Sequence, residues 1–133
     1  MGKREKGEKG KDGFEELVNK VIGCCIRVHK ELGPGFLESV YHRALEVELA
    51  ENDIPFESEK EVAISFRGHF VGDHRLDFLV DGELVVELKT AEKLGRDHYA
   101  QVRSYLKAAG RKKPGLLVNF AAFTLDVRRV ETK

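Results

Sequence analysis

Apolar residues recur at helical spacing from Phe14 to Leu32. Leu17, Val21, Cys24, Val28 and Leu32 form the stripe of an amphipathic helix. Gly33-Pro34-Gly35 ends it, because Gly suits the left-handed residue past a helix terminus and Pro cannot continue the turn. A second helix runs from about Leu37 to Glu51, with Val40, Ala44, Leu45, Val47 and Leu49 as its candidate buried positions and Asn52-Asp53 as its stop. The period then changes. Glu61-Val62-Ala63-Ile64-Ser65-Phe66 alternates as a strand does, Arg67-Gly68-His69 turns the chain, and a hairpin follows from His74 to Thr90. Gly95 to Ala109 reads as a helix, closed by Gly110 and the basic Arg111-Lys112-Lys113-Pro114. Gly115 to Phe120 is an apolar run of strand length, and Leu125 to Val130 is a candidate last strand. After an N-terminal helix, the order helix, three strands, helix, strand describes an α/β (α+β) domain with helices packed on a mixed sheet. No internal repeat is visible.

The hairpin also carries chemistry. Asp77 lies on its first strand and Glu87-Leu88-Lys89 on its second. Two carboxylates and an ammonium can hold a divalent metal and activate a water, provided that they meet. Side chains alternate between the faces of a strand. Leu76, Phe78 and Val80 form one apolar set and Leu84, Val86 and Leu88 the other, all on even numbers. Both sets are buried together only if even residues pair with even residues. A two-residue turn at Asp81-Gly82 would mix the parities. An odd loop avoids this: a type I turn through Val80-Asp81 with Gly82 left-handed in a bulge would pair Leu79 with Glu83. A one-residue slip would expose the whole apolar set, so the parity is strongly specified. In that register Asp77, Val85, Glu87 and Lys89 share a face, with Asp77 diagonally across from Glu87. Arg75 has the parity of Asp77 and is expected on the same face, to pair with Glu87 or to contact phosphate.

At 133 residues the chain is one domain with room for a core. Residues 1–13 are Lys, Glu and Gly with almost nothing to bury and are expected to be a disordered tail, leaving residues 14–133 as the domain. The 23 basic and 23 acidic residues balance, which argues against a general polyanion binder. Their distribution is uneven. Acidic residues dominate from Glu38 to Glu87 and basic ones from Lys89 onward, which fits a carboxylate metal site beside a phosphate-accepting surface; solvated helix faces are the plain alternative. No secretory signal, no membrane-length apolar run and no myristoylation signal is seen, so a cytoplasmic protein without membrane contact is expected. The two cysteines, Cys24 and Cys25, are adjacent on a helix and cannot readily bridge, so they read as small buried side chains. His29, His42, His69, His74 and His98 show no zinc-ligand spacing.

Gly35-Phe36-Leu37-Glu38-Ser39-Val40-Tyr41 fits the GxxExxY signature of a small prokaryotic family. That family resembles a minimal member of the PD-(D/E)XK nuclease superfamily, with its restriction-endonuclease-like fold. Asp77 and Glu87-Leu88-Lys89 match the superfamily motif, with Leu76 in place of the motif Pro. Gln101 through Tyr105 matches the Gln-x-x-x-Tyr element of its exonuclease-like branch, and Gly115-Leu116-Leu117-Val118-Asn119-Phe120 also fits. The resemblance runs from about Phe14 to Val130. It implies a metal-dependent nuclease that hydrolyses phosphodiester bonds of DNA, RNA being the alternative substrate.

Under that resemblance Asp77 and Glu87 are direct ligands of Mg²⁺ or Mn²⁺, joined by the backbone carbonyl of Leu88, since Mg²⁺ takes oxygen ligands and keeps several waters. The metal would polarise a phosphoryl oxygen and lower the pKa of a bound water. Lys89 would orient that water and stabilise charge on the phosphate; a surface salt bridge to Glu87 or Asp77 is its ordinary alternative. Glu38 corresponds to a helix glutamate that helps hold the metal or its waters, where spacing alone would leave it an exposed carboxylate. Gln101 is expected at the carboxylates or the substrate phosphate, with Tyr105 and His98 on the same helix face; a polar face along the sheet edge is the alternative. Tyr41 is expected to pack, with its hydroxyl at the site edge. A binding module of the same fold with little turnover is the rival function, as is phosphate chemistry on a substrate other than a polynucleotide. No DNA-reading element is apparent, so a homodimer or a recruited partner would have to supply sequence specificity.

Overall fold

The computed structural model describes residues 11–132 of the chain. Two helices, α1 (Lys11–Leu32) and α2 (Glu38–Glu51), precede the strands β1 (Phe56–Phe66), β2 (His69–Val80) and β3 (Leu84–Lys89). Helix α3 (Arg96–Ala108) and strands β4 (Gly115–Asn119) and β5 (Asp126–Val130) complete the domain. Helix α1 begins at Lys11 rather than Phe14; the rest of the expected tail, residues 1–10, lies outside the described residues. Strand β1 begins at Phe56 rather than Glu61, and β2 at His69 rather than His74. Neither extension contains a fully buried residue, so burial does not mark them; the β1–β2 ladder holds them instead, from Phe56↔Val80 to Phe66↔His69.

The sheet order is β1-β2-β3-β4-β5, antiparallel except for β3 and β4. That one parallel pair needs a crossover, and α3 supplies it. Helices α1 and α2 cover one face over a core of Val21, Leu45, Leu49, Phe78, Val80, Leu84, Val86, Leu88, Leu116 and Phe120. Helix α3 covers the other with Val102, Tyr105 and Leu106 against Leu76, Leu79, Val85 and Leu117. Each such side chain contributes about 1.5–3 kcal/mol on full burial. The helix comes close at Gly115, where a Cβ would lie 3.1 Å from the Val85 oxygen and 3.3 Å from Val102 Cγ1. Cys24 and Cys25 are free and buried, as expected. On α2, Val40 and Val47 are exposed instead of buried, and Tyr41 joins Leu45 and Leu49 in the buried row. The stripe is narrower than the apolar residues suggest because α2 packs along one row only.

The hairpin differs from expectation in two instructive ways. Val80 pairs with Leu84, so the loop has an odd length and even residues do face even residues. The turn is built differently: Asp81 and Gly82 both have positive φ, 52° and 68°, and the Glu83 N–H donates to the Val80 carbonyl at 3.0 Å. Two left-handed central residues match the twist of the strands better than a type I turn does, and Asp and Gly tolerate that conformation. Leu79 therefore pairs with Val85, not Glu83, and continuing the ladder sets Asp77 directly opposite Glu87 rather than diagonal to it. The second difference is at Leu76, which packs under α3 while Phe78 and Val80 pack under α1 and α2. The β1–β2 ladder runs Ser58↔Phe78 and Lys60↔Leu76, and between those pairs Glu59 adopts φ 52°. A left-handed residue kinks and twists the strand. Phe56 thus joins the α1/α2 core, but Val62 on the same strand joins the α3 core. Asp77 sits at the pivot.

Candidate active site

Strands β2 and β3 pair regularly only from Phe78↔Val86 to Val80↔Leu84. Beyond Phe78, two carboxylates bridge the strands in place of the ladder. The Asp77 N–H donates to Glu87 Oε1 at 2.8 Å, and the Leu88 N–H donates to Asp77 Oδ2 at 2.8 Å. The twist at Glu59 and Asp77 draws the strands apart, and the acidic side chains satisfy the amides that the ladder leaves open. Each carboxylate keeps its second oxygen outside these bonds.

Glu87 is 3% exposed. Burial, then the charge of Asp77, push its pKa up from 4.5 to about 9; a carboxyl–carboxyl hydrogen bond adds to the rise, while the Asp77 N–H and the Lys89 charge oppose it. A neighbouring carboxylate in a buried setting disfavours the charged form of Glu87. The Lys89 ammonium donates to Gln101 Oε1 at 2.8 Å, so α3 holds the lysine from the far side. Gln101 and Lys89 are therefore joined, in place of a salt bridge between Lys89 and a carboxylate. Tyr105, one helical turn beyond Gln101, is buried, and its hydroxyl is pushed up to about 12 by burial and then by the charges of Glu87, Asp77 and Glu38. Glu38, at the first turn of α2, is likewise raised by burial and by Asp77, with Lys89 and His42 acting the other way. Glu38 and Asp77 line one cleft together with His42.

Three residues expected at the site have other partners. Arg75 lies 3.8 Å from Glu59 and 3.6 Å from Glu61, because β1 offers it carboxylates on the side of β2 away from Glu87. His98 Nδ1 accepts the Gly95 N–H at 3.0 Å and so caps the start of α3. The Tyr41 hydroxyl donates to the Gly33 carbonyl at 2.5 Å and accepts the Phe36 N–H at 3.2 Å, while its ring stacks on Phe120. It ties down the connection from α1 into α2 rather than reaching the site, and that tie places Glu38.

Two residues at the site carry no clear mark in the sequence. His42 stacks on Phe78 with ring centroids 4.4 Å apart, and its Nδ1 lies 3.9 Å from Asp77 Oδ1. Its spacing of one helical turn from Glu38 was the available signal. Asn119, buried at the end of β4, clamps Ala91: its Nδ2 donates to the Ala91 carbonyl at 2.8 Å and its Oδ1 accepts the Ala91 N–H at 3.1 Å. With the Phe120 N–H donating to the Lys89 carbonyl at 2.9 Å, this fixes the chain just past Lys89. An amide ending an otherwise apolar strand was the signal.

Among the described residues no group of three His, Cys, Asp or Glu side chains forms a ready-made metal cluster. The donor set is smaller: the buried carboxylate of Glu87 and the half-buried one of Asp77, each with one oxygen outside the interstrand bonds. A hard divalent cation suits such donors, because it relieves their mutual repulsion and completes its shell with water.

A mixed sheet that carries acidic residues on two splayed strands, with a lysine beside them, defines a nuclease-like α+β domain. A model of the PD-(D/E)XK nuclease superfamily matches residues 15–130. The chain belongs to that superfamily, and its five-stranded sheet with three helices is consistent with the restriction-endonuclease-like fold. A crystal structure described as that of SSO0001 is similar, with a TM-score of 0.58 and 20% identity over 89% of this chain. This chain covers 59% of that one, and the likeness concerns the fold alone. The comparison with curated proteins finds no match. No helix among the described residues is long and apolar enough to cross a membrane.

Proposed function

We propose that this chain is a divalent-metal-dependent nuclease that hydrolyses phosphodiester bonds of DNA by attack of water. The observation that carries the reading is the meeting of Asp77 and Glu87 across the splayed strands, with Lys89 held beside them by Gln101. Asp77, Glu87 and the Leu88 carbonyl would hold Mg²⁺ or Mn²⁺, and Glu38 would hold its water shell. The ion supplies a polarised phosphoryl oxygen and a water of lowered pKa. Lys89, oriented by Gln101, steadies the attacking water and the charge that grows on the phosphate. The water oxygen bonds to phosphorus as its proton passes to neighbouring water, the ester bond opposite breaks, and the leaving alkoxide takes up a proton from water. Tyr105, buried on the α3 side, packs beside these groups.

Membership of the smaller GxxExxY family is part of this proposal. Its three signature residues have distinct physical jobs here. Gly35 bends the α1–α2 link at φ 112°, Tyr41 fastens that link, and Glu38 faces Asp77. A cytoplasmic setting fits two free buried cysteines. Sequence specificity, if the cell requires it, would come from a second copy or a recruited partner.

The test is cleavage of linear, circular and single-stranded DNA, and of RNA, with Mg²⁺ or Mn²⁺, by wild type, Glu87→Ala and Lys89→Ala. Metal-dependent cleavage lost in both variants is the expected result. Folded wild type that binds metal and cleaves nothing would turn the reading to a binding module of the same fold.

A further inference from the structure

Two clefts flank the catalytic residues, and their linings differ in sign. The one on the α2 side carries the carboxylates of Glu38, Glu46, Glu59 and Asp77 beside His42 and Arg43. Its carboxylates outnumber its cations, so away from a bound metal ion it disfavours phosphate. The other is a groove of about 510 Å³ between the β1–β2 hairpin and α3. Ser65, His74, Ser104 and Lys107 supply its polar groups, and no acidic side chain lines it. Lys107 has no carboxylate partner among the described residues.

The groove borders the helix that carries Gln101 and Tyr105. Ser104 Oγ donates to the Gln101 carbonyl at 2.7 Å and lies 3.2 Å from His74 Nε2, and His74 packs edge-on against Tyr105 at 4.5 Å. At the far end Ser65 pairs with Phe70, next to the hairpin tip. There Phe66 is 59% exposed and Phe70 69%, with the Arg67 guanidinium 4.9 Å from the Phe66 ring centroid. Exposed aromatic faces beside cations offer stacking surfaces to unpaired bases and charge to their phosphates. A duplex keeps its base faces stacked inside and has none to offer the tip.

We infer that a single nucleic-acid strand leaves the catalytic residues along this groove, with phosphates on Lys107 and Ser65 and bases on Phe66 and Phe70. The inference rests on the nuclease reading and narrows it to substrates with an unpaired segment or end. The β1–β2 hairpin is then a substrate arm. Its twist at Glu59 and Asp77 swings the inner face of the arm from the α2 side to the α3 side, where the groove lies.

Fluorescence anisotropy with labelled oligo(dT) and with a duplex of the same length, in Ca²⁺, tests it. Hydrolysis of the p-nitrophenyl ester of thymidine 5′-monophosphate in Mn²⁺ is measured alongside, because that ester is too short to enter the groove. Phe66→Ala with Phe70→Ala should weaken oligo(dT) binding about tenfold or more, and Phe70→Trp should bind at least as well as wild type. Lys107→Glu should weaken binding and flatten its salt dependence by about one phosphate contact. Ester hydrolysis should be unchanged in all of them. Undiminished oligo(dT) binding by the variants of an active enzyme would overturn the inference and leave the nuclease reading intact. So would tighter binding of wild type to the duplex, or equal loss on ester and oligonucleotide. A wild type that hydrolyses neither ester nor nucleic acid would remove both.

Discussion

Glu87 is buried beside Asp77, and that burial has a pH signature. Its folded pKa, about 9, lies above the 4.5 of an unperturbed glutamate. Between those values the native state keeps a proton that the unfolded chain has released, so the metal-free protein loses stability as pH rises through this window. Glu87→Gln has no proton to lose. Melting temperatures of the metal-free proteins should coincide near pH 4.5 and separate toward pH 9, with the variant the more stable. Parallel curves would show that Glu87 titrates as an exposed carboxylate does. The same substitution should abolish metal-dependent cleavage. Lys89→Ala should reduce kcat by about 10²–10³, the range for loss of one preorganised charge-stabilising donor. The identities of Asp77, Glu87 and Lys89 were legible as chemistry in the sequence. The partners of Arg75 and His98 were not, because acidic residues of β1 and a helix cap took them.

At the scale of the element, the site depends on how three segments end. Helix α2 starts where Tyr41 fastens the α1–α2 link, and Tyr41→Phe removes both of its hydroxyl bonds. A loss of about 1–3 kcal/mol in urea unfolding is expected, since the Gly33 carbonyl and the Phe36 N–H lose their partner. Strand β3 ends where Asn119 clamps Ala91. Asn119→Ala should lower kcat more than it raises KM, because the chain past Lys89 loosens while the substrate groove is untouched. Equal effects on both would assign Asn119 a purely structural role. At Gly115, a methyl group meets the Val85 carbonyl and Val102, so Gly115→Ala should cost about 1–3 kcal/mol by overpacking and displace α3. Helices α1 and α3 and strands β3 and β4 were readable from periodicity. The first halves of β1 and β2 were not, because their stability comes from pairing with each other and not from an apolar face.

For the whole molecule, two layers of helix clamp a sheet whose strands β2 and β3 hold Asp77 and Glu87 against each other. A ligand that binds only the folded state stabilises it by mass action, about 2.7 kcal/mol at a hundred times its Kd. Titrating Mg²⁺ or Mn²⁺ should therefore raise the melting temperature at pH 8 and leave that of Glu87→Gln nearly unchanged. An equal shift in both would place the ion elsewhere. The sequence by itself determined the order of elements, the odd hairpin loop, the buried face of α1 and the placing of Asp77 and Glu87 on adjacent strands. These follow from local periodicity and from the rule that a slipped register exposes an apolar face. Tertiary structure alone decided that Asp77 lies directly across from Glu87, that Leu76 turns to the opposite face, and that α3 reaches over to hold Lys89. A left-handed Glu59, a turn with two left-handed residues and a crossover helix each move side chains by ångströms without altering the pattern of polar and apolar letters. That pattern records which groups leave water; convergence depends on backbone twist, which the pattern does not encode.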